Sequence, residues 1–167
     1  NYDRLTGLAN RHYFEDHFSR ALASCQRRDE KMALLYMDLN DFKPVNDTFG
    51  HQVGDAMLAT ASAIIMQSIR ADDVAARFGG DEFVVLLQHV NLPEDAQNVV
   101  DRLMSLLEEV EYIEGHNVAL SASIGVSVFP ADGNDFDQLI KVADRRMYEV
   151  KRKRKDSSNV IPIDPRR

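Results

Sequence analysis

Two glycines followed by two acids, Gly79-Gly80-Asp81-Glu82, separate the apolar runs Val74-Ala75-Ala76 and Phe83-Val84-Val85-Leu86-Leu87. Glycine supplies the backbone freedom of a tight turn, so the segment reads as the tip of a β-hairpin. A turn alone does not call for adjacent carboxylates, which repel unless a cation or a donor compensates them. A further acid, Asp38, closes an earlier apolar run, Met32-Ala33-Leu34-Leu35-Tyr36-Met37. Strand-end acids beside a glycine turn point to a site for a divalent metal and a phosphate. For each acid alone, a solvated turn or cap is the commoner role.

The chain of 167 residues is the length of one domain, and its 44% hydrophobic content is enough for a core. Lys and Arg number 20 against 27 Asp and Glu, a net charge of −7, which argues against broad nucleic-acid binding. A small anionic ligand remains compatible if a metal and local basic residues neutralise it. The single Cys25 excludes an intramolecular disulfide and a cysteine-based zinc site, and fits a reducing compartment. No apolar stretch is long enough to span a bilayer and no signal peptide is visible, so we expect a cytoplasmic domain without direct membrane contact.

Phe14, Phe18, Leu22 and Cys25 recur at helical spacing behind Asn10, a plausible N-cap. Residues 32–38 read as a buried strand. Residues 39–54, with Pro44, Gly50 and Gly54, read as a loop holding at most one helical turn. Leu58, Ala61, Ile65 and Ile69 mark an amphipathic helix. Pro93 falls in the first turn of the next helix, whose apolar face is Ala96, Val99, Leu103, Leu106 and Val110. Residues 118–128 read as a strand, Phe136 to Val150 as a last long helix, and Val160 and Ile161 as a short closing strand. Leaving out the first helix, the order is βαββαβ, the ferredoxin-like arrangement. The fold class is therefore α+β, with a central antiparallel sheet, flanking helices and an extra N-terminal helix.

Five blocks in register then carry a resemblance. They are Asp3-Arg4-Leu5-Thr6-Gly7-Leu8-Ala9-Asn10-Arg11; Asp38-Leu39-Asn40-Asp41-Phe42-Lys43-Pro44-Val45-Asn46-Asp47; Gly50-His51 with Gly54-Asp55; Gly79-Gly80-Asp81-Glu82-Phe83; and Ala143-Asp144, Met147-Tyr148 and Lys151. Over essentially the whole chain the sequence resembles the GGDEF family of diguanylate cyclases. The resemblance implies the nucleotidyl-cyclase or palm-like form of the fold, and an enzyme joining two GTP molecules into cyclic di-GMP with release of two pyrophosphates. It implies a homodimer in which each subunit brings one GTP. It also implies an N-terminal sensor or receiver region in the full-length protein, able to anchor it to a membrane. We expect residues 1–156 to form the domain and 157–167 a short strand and tail.

What the family implies can be carried onto this chain residue by residue. Asp38, Asp81 and the backbone carbonyl of Leu39 match metal ligands for two Mg2+ ions, with Mn2+ a possible substitute; hard oxygen donors suit both. Asp81, Glu82 and Lys43 take the catalytic positions. Glu82 serves metal binding or hydroxyl activation. Asn46 and Asp55 match the guanine readers; the alternatives are an Asx-turn for Asn46 and helix N-capping for Asp55. Phe42, Lys43, Gly79, Gly80 and Lys151 match the phosphate site. Lys155 stands where the family has Arg and lacks its bidentate fork. The run Lys151 to Lys155 otherwise suits a helix C-terminus. Asn40 replaces the commoner Asp, which lowers the local negative charge and stands to weaken metal affinity. Asp3 and Arg77 are expected to pair. Arg70 and Asp73 match the family's inhibitory RxxD motif, a site for the product cyclic di-GMP, with Arg102 as a further ligand. Two other classes remain: a receptor that only binds cyclic di-GMP, and a GTP-binding module that stimulates a partner.

Overall fold

The computed structural model describes residues 1–158. The chain runs α1 (Arg11–Arg28), β1 (Met32–Leu39), α2 (Phe42–Phe49), α3 (His51–Ser68), β2 (Val74–Gly79), β3 (Glu82–Leu87), α4 (Pro93–Glu108), β4 (Tyr112–Ile113), β5 (His116–Asn117), β6 (Ala122–Phe129) and α5 (Phe136–Ser158). The four long strands form one antiparallel sheet in the order β2-β3-β1-β6. That order and the connecting helices give the expected α+β fold with a ferredoxin-like core.

Strand β1 is buried along its whole length because the sheet is covered on both faces. Its side chains alternate between two cores. Leu35, Met37 and Leu39 pack with Met57, Leu58 and Ile65 of α3 and with Leu103 and Leu107 of α4. Leu34 and Tyr36 pack on the other face with Phe14 and Phe18 of α1 and with Leu139, Ala143 and Met147 of α5. Asp38 follows Tyr36 in this alternation and so belongs to the face that α5 covers.

Several local expectations hold. The Asn10 side chain accepts from Tyr13 N and caps α1, and Pro93 opens α4. Arg77 Nη1 lies 3.2 Å from Asp3 Oδ1, tying the N-terminal segment to the hairpin.

Others are corrected. Residues 39–54 are not a loop: α2 occupies 42–49, and α3 begins at His51. Pro44 is no obstacle, because it stands in the first turn of α2, where its missing N–H has no helical partner to lose. Gly50, at φ 94° and ψ 168°, separates the two helices. Asp55 consequently lies inside α3 and does not cap it. The last strand is Ala122–Phe129, and the β4–β5 hairpin precedes it. Two-residue strands are too short for sequence periodicity to register. The strand expected at Val160 and Ile161 lies outside the described residues.

Candidate active site

The hairpin tip and the end of β1 lie side by side. Gly79 and Gly80 take φ values of 152° and 47°, the second in the left-handed region that favours glycine. A register shift between Arg77 and Gly79 bends the strand there. Arg77 Nε donates to Gly80 O at 2.9 Å, and Leu39 N donates to Asp81 O at 3.2 Å. The turn is thus held at both sides. Asp81 belongs to the turn itself, since β3 starts at Glu82.

Asp38 and Asp81 come together. Burial pushes the Asp81 carboxyl up to about 7, helped by the neighbouring Asp38 carboxylate and opposed by Lys151. Lys151, on α5, donates to Asp38 Oδ2 at 2.5 Å. The other oxygen, Asp38 Oδ1, is buried without a hydrogen-bond partner. An acceptor left in that state calls for a cation or a donor. Among the described residues no three His, Cys, Asp or Glu side chains gather as a metal cluster. Two carboxylates plus a backbone carbonyl nevertheless suit magnesium, which keeps waters and takes phosphate oxygens to complete its shell. Leu39 brings only its backbone here, since its side chain is buried in the opposite core.

Glu82 is paired with Asp38 across the β1–β3 ladder, and its Oε2 accepts from the Tyr36 hydroxyl at 2.9 Å. Burial, followed by the Glu82 contacts, raises the Tyr36 hydroxyl far above its usual range, so it stays a donor. Tyr36 was legible in the sequence only as a core residue of the strand. Asn40 is buried, with its amide satisfied on both sides: Nδ2 donates to Ser121 Oγ at 2.9 Å, and Oδ1 accepts from Ser123 Oγ at 2.8 Å. Its role is to join the end of β1 to β6, which substitution counting could not reveal.

Phe42 and Lys43 form the first turn of α2 rather than a loop. The N-cap residue Asp41 makes no side-chain capping bond; its carboxylate pairs instead with Arg154 at 2.8 Å. The first N–H groups of α2 are therefore left for an anion. Lys43 is exposed beside them, and Lys155 is exposed on α5. Asn46 lies on α2 and Asp55, exposed, on α3; Asn46 Oδ1 is buried without a partner.

Arg70, Asp73 and Arg102 line one cavity of about 360 Å3 on another part of the surface, together with Gln88, Asn91 and Asn98. Asp73 is heavily used by the turn: Oδ2 accepts from Arg70 N and Oδ1 from Gln88 N, each at 2.9 Å. Arg70 itself is exposed.

The sequence profile described as "Diguanylate cyclase, GGDEF domain" matches residues 1–157. The chain is 39% identical over 150 residues to the bifunctional diguanylate cyclase/cyclic di-GMP phosphodiesterase MucR of Pseudomonas aeruginosa, covering 90% of this chain and 22% of MucR. The solved GGDEF domain of TpbB from the same organism superposes with a TM-score of 0.88 at 35% identity, covering 92% of this chain and 90% of that one. The GGDEF domain of DgcB from Caulobacter crescentus, solved in complex with c-di-GMP, gives 0.83 at 26% identity over 91% and 90%. The chain spans only about a fifth of the length of the first curated relatives, 22% and 19%. With the profile matched over residues 1–157 and the sheet, hairpin and paired acids all in place, this chain belongs to the diguanylate cyclase GGDEF domain family.

Proposed function

We propose that this chain is the catalytic domain of a diguanylate cyclase, condensing two GTP molecules into cyclic di-GMP across a homodimer of half-sites. The observation that carries the reading is the pairing of Asp38 with Asp81 under Lys151, with Asp38 Oδ1 buried and unpartnered. Asp38, Asp81 and the Leu39 carbonyl would hold magnesium, or manganese in its place, with two ions per site. When bound, the metal supplies charge neutralisation on the phosphates and a lowered pKa for the attacking hydroxyl.

The chain's own residues would do the rest. The uncapped N–H groups at Phe42 and Lys43, with the Lys43 ammonium, bind and orient the phosphates. The Gly79-Gly80 turn lets the backbone approach them. Lys151 contributes a positive charge beside the same acids, and Lys155 a further one. Glu82 accepts from Tyr36 and faces the reaction edge of the sheet beside Asp38; there it serves the hydroxyl or the metal. Asn46 and Asp55 read the guanine edge by accepting from its N1–H and exocyclic amine, donors that adenine lacks. Each domain positions one nucleotide, so the two reacting centres meet only when two domains face each other. Arg70, Asp73 and Arg102 would bind the product and restrain that approach, which is feedback inhibition. A sensor or receiver region elsewhere in the natural protein would govern dimerisation.

The test is GTP turnover with magnesium at several protein concentrations, with the nucleotides resolved by chromatography. Cyclic di-GMP, formed with a specific activity that rises with protein concentration, is the expected result. No product, even after dimerisation is forced by a fused coiled coil, would leave the receptor reading in its place.

A further inference from the structure

Gly54 differs from the turn glycines of this chain. Gly50, Gly79 and Gly80 take positive φ values and have open space where a side chain would stand. Gly54 lies within helix α3 without such a φ, so no backbone conformation calls for glycine there. What calls for it is space. A Cβ on Gly54 would fall 1.8 Å from Asn46 Oδ1, 2.7 Å from its Cγ and 3.1 Å from its Nδ2. The three nearest atoms all belong to one side-chain amide. At Gly125 the same construction meets the α5 backbone, 2.0 Å from Ala143 O, and so reports helix–sheet packing.

The backbone arranges this meeting. Gly50 N donates to Asn46 O at 2.9 Å, and Gly54 N donates to Gly50 O at 3.2 Å. Gly50, at φ 94° and ψ 168°, breaks the helical path between α2 and α3, and the Asn46 amide comes to lie on the first turns of α3. There Asn46 Oδ1 is buried and has no hydrogen-bond partner among the described residues. A buried acceptor in that condition is uncompensated within the chain, and a bound donor would satisfy it.

We propose that Gly54 is a specificity-determining positioning residue. Its missing side chain is the space that holds the Asn46 amide, so that Oδ1 presents itself to the exocyclic amine of guanine. This rests on the reading of Asn46 as a guanine contact. Any side chain at 54 must displace something, and the end of a flexible amide yields before a helix backbone does. The cost of Gly54→Ala then falls on recognition and not on the fold, since alanine is the better helix former.

The experiment is calorimetric binding of non-hydrolysable analogues of GTP and ITP, with magnesium, to four proteins: wild type, Asn46→Ala, Gly54→Ala and the double variant. ITP keeps N1–H and O6 but lacks the amine. We expect Asn46→Ala and Gly54→Ala each to erode the preference for the GTP analogue about tenfold, the worth of one such hydrogen bond. The double variant should show no loss beyond Asn46→Ala, because both changes remove the same contact. The melting temperature of Gly54→Ala should match or exceed that of wild type. If Asn46→Ala leaves the preference intact, the guanine reading of Asn46 fails and this inference with it. If Asn46→Ala erodes the preference but Gly54→Ala does not, only this inference is overturned. A further loss in the double variant, or an unfolded Gly54→Ala protein, overturns it as well, since Gly54 would then act through something other than Asn46.

Discussion

Lys151 and Asp38 stand 113 residues apart in sequence and 2.5 Å apart in the structure. The pair joins helix α5 to the end of strand β1 at the point where the acids of the site converge. Asp38 is largely buried, its side chain 11% exposed, and Lys151 is 27% exposed. The lysine thus occupies the position of a counter-ion for a carboxylate that water barely reaches.

Removing that counter-ion leaves a buried charge without its partner, which is costly. Lys151→Ala is expected to destabilise the metal-free domain by about 1–2 kcal/mol, between the values for exposed and for fully buried pairs because the lysine is partly hydrated. Magnesium should restore part of the loss. Calorimetric unfolding of both proteins with and without magnesium checks this; equal melting temperatures without metal would remove the pair from the stability of the domain.

Asp81 gives the metal-free domain a pH dependence of unusual sign for an acid. Its carboxyl is raised from 3.8 to about 7 by burial and by Asp38. The folded state therefore holds the proton more tightly than the unfolded chain does. The stability it contributes is present below about pH 4 and is lost as pH rises through 7. Asp81→Asn, which stays neutral, should flatten that slope, as read from melting temperatures between pH 4 and pH 8. Metal must displace the same proton, so magnesium affinity should rise with pH across this window.

Asp132 shows the ordinary sign. Hydrogen bonding to Arg146 lowers its carboxyl below the usual range, and the geometry is bidentate, at 2.9 Å and 3.1 Å. Arg146 also donates to Val126 O at 2.8 Å, so the pair clamps α5 to β6. With Arg146 43% exposed, Arg146→Ala is expected to cost about 1 kcal/mol near neutrality. That contribution is present above about pH 4 and fades as pH falls through the lowered pKa of Asp132. Urea unfolding at pH 7 and pH 3 measures it; an equal cost at both would assign the effect to the Val126 contact alone.

The cavity shared by Arg70, Asp73 and Arg102 separates two kinds of variant. Arg70→Ala should raise the cyclic di-GMP concentration needed for half-inhibition at least tenfold, the usual scale of a lost charge-assisted contact. Asp73→Ala should do the same and also lower the melting temperature, because Asp73 accepts from the backbone N–H groups of Arg70 and Gln88. Inhibition curves and thermal melts on both proteins test this. Unchanged inhibition in Arg70→Ala would remove the cavity from regulation.

Much of the site was legible because its signals are local. The turn at Gly79-Gly80 announces itself through residues that sit next to one another, and the continuous apolar run ending in Asp38 is a pattern within one strand. The order of helices and strands followed from periodicity in the same way. The segment 39–54 was misread because Pro44 and two glycines look like loop punctuation; Pro44 sits where a helix tolerates it and Gly54 is inside a helix.

By itself the sequence determined which residues are candidates for the chemistry: Asp38, Asp81 and Glu82, the pair Asn46 and Asp55, and Arg70 with Asp73 are picked out by their match to the family's motifs. Only the tertiary structure decided how they are used. It set Lys151 on Asp38, Tyr36 on Glu82, Ser121 and Ser123 on Asn40, and the Asn46 amide against Gly54. Most of these contacts join residues far apart in the chain, and even Asn46 and Gly54 meet only because the backbone at Gly50 breaks the path between α2 and α3. Such pairs leave no periodic trace in the sequence, because they exist only once the sheet has closed and the helices have packed onto its two faces.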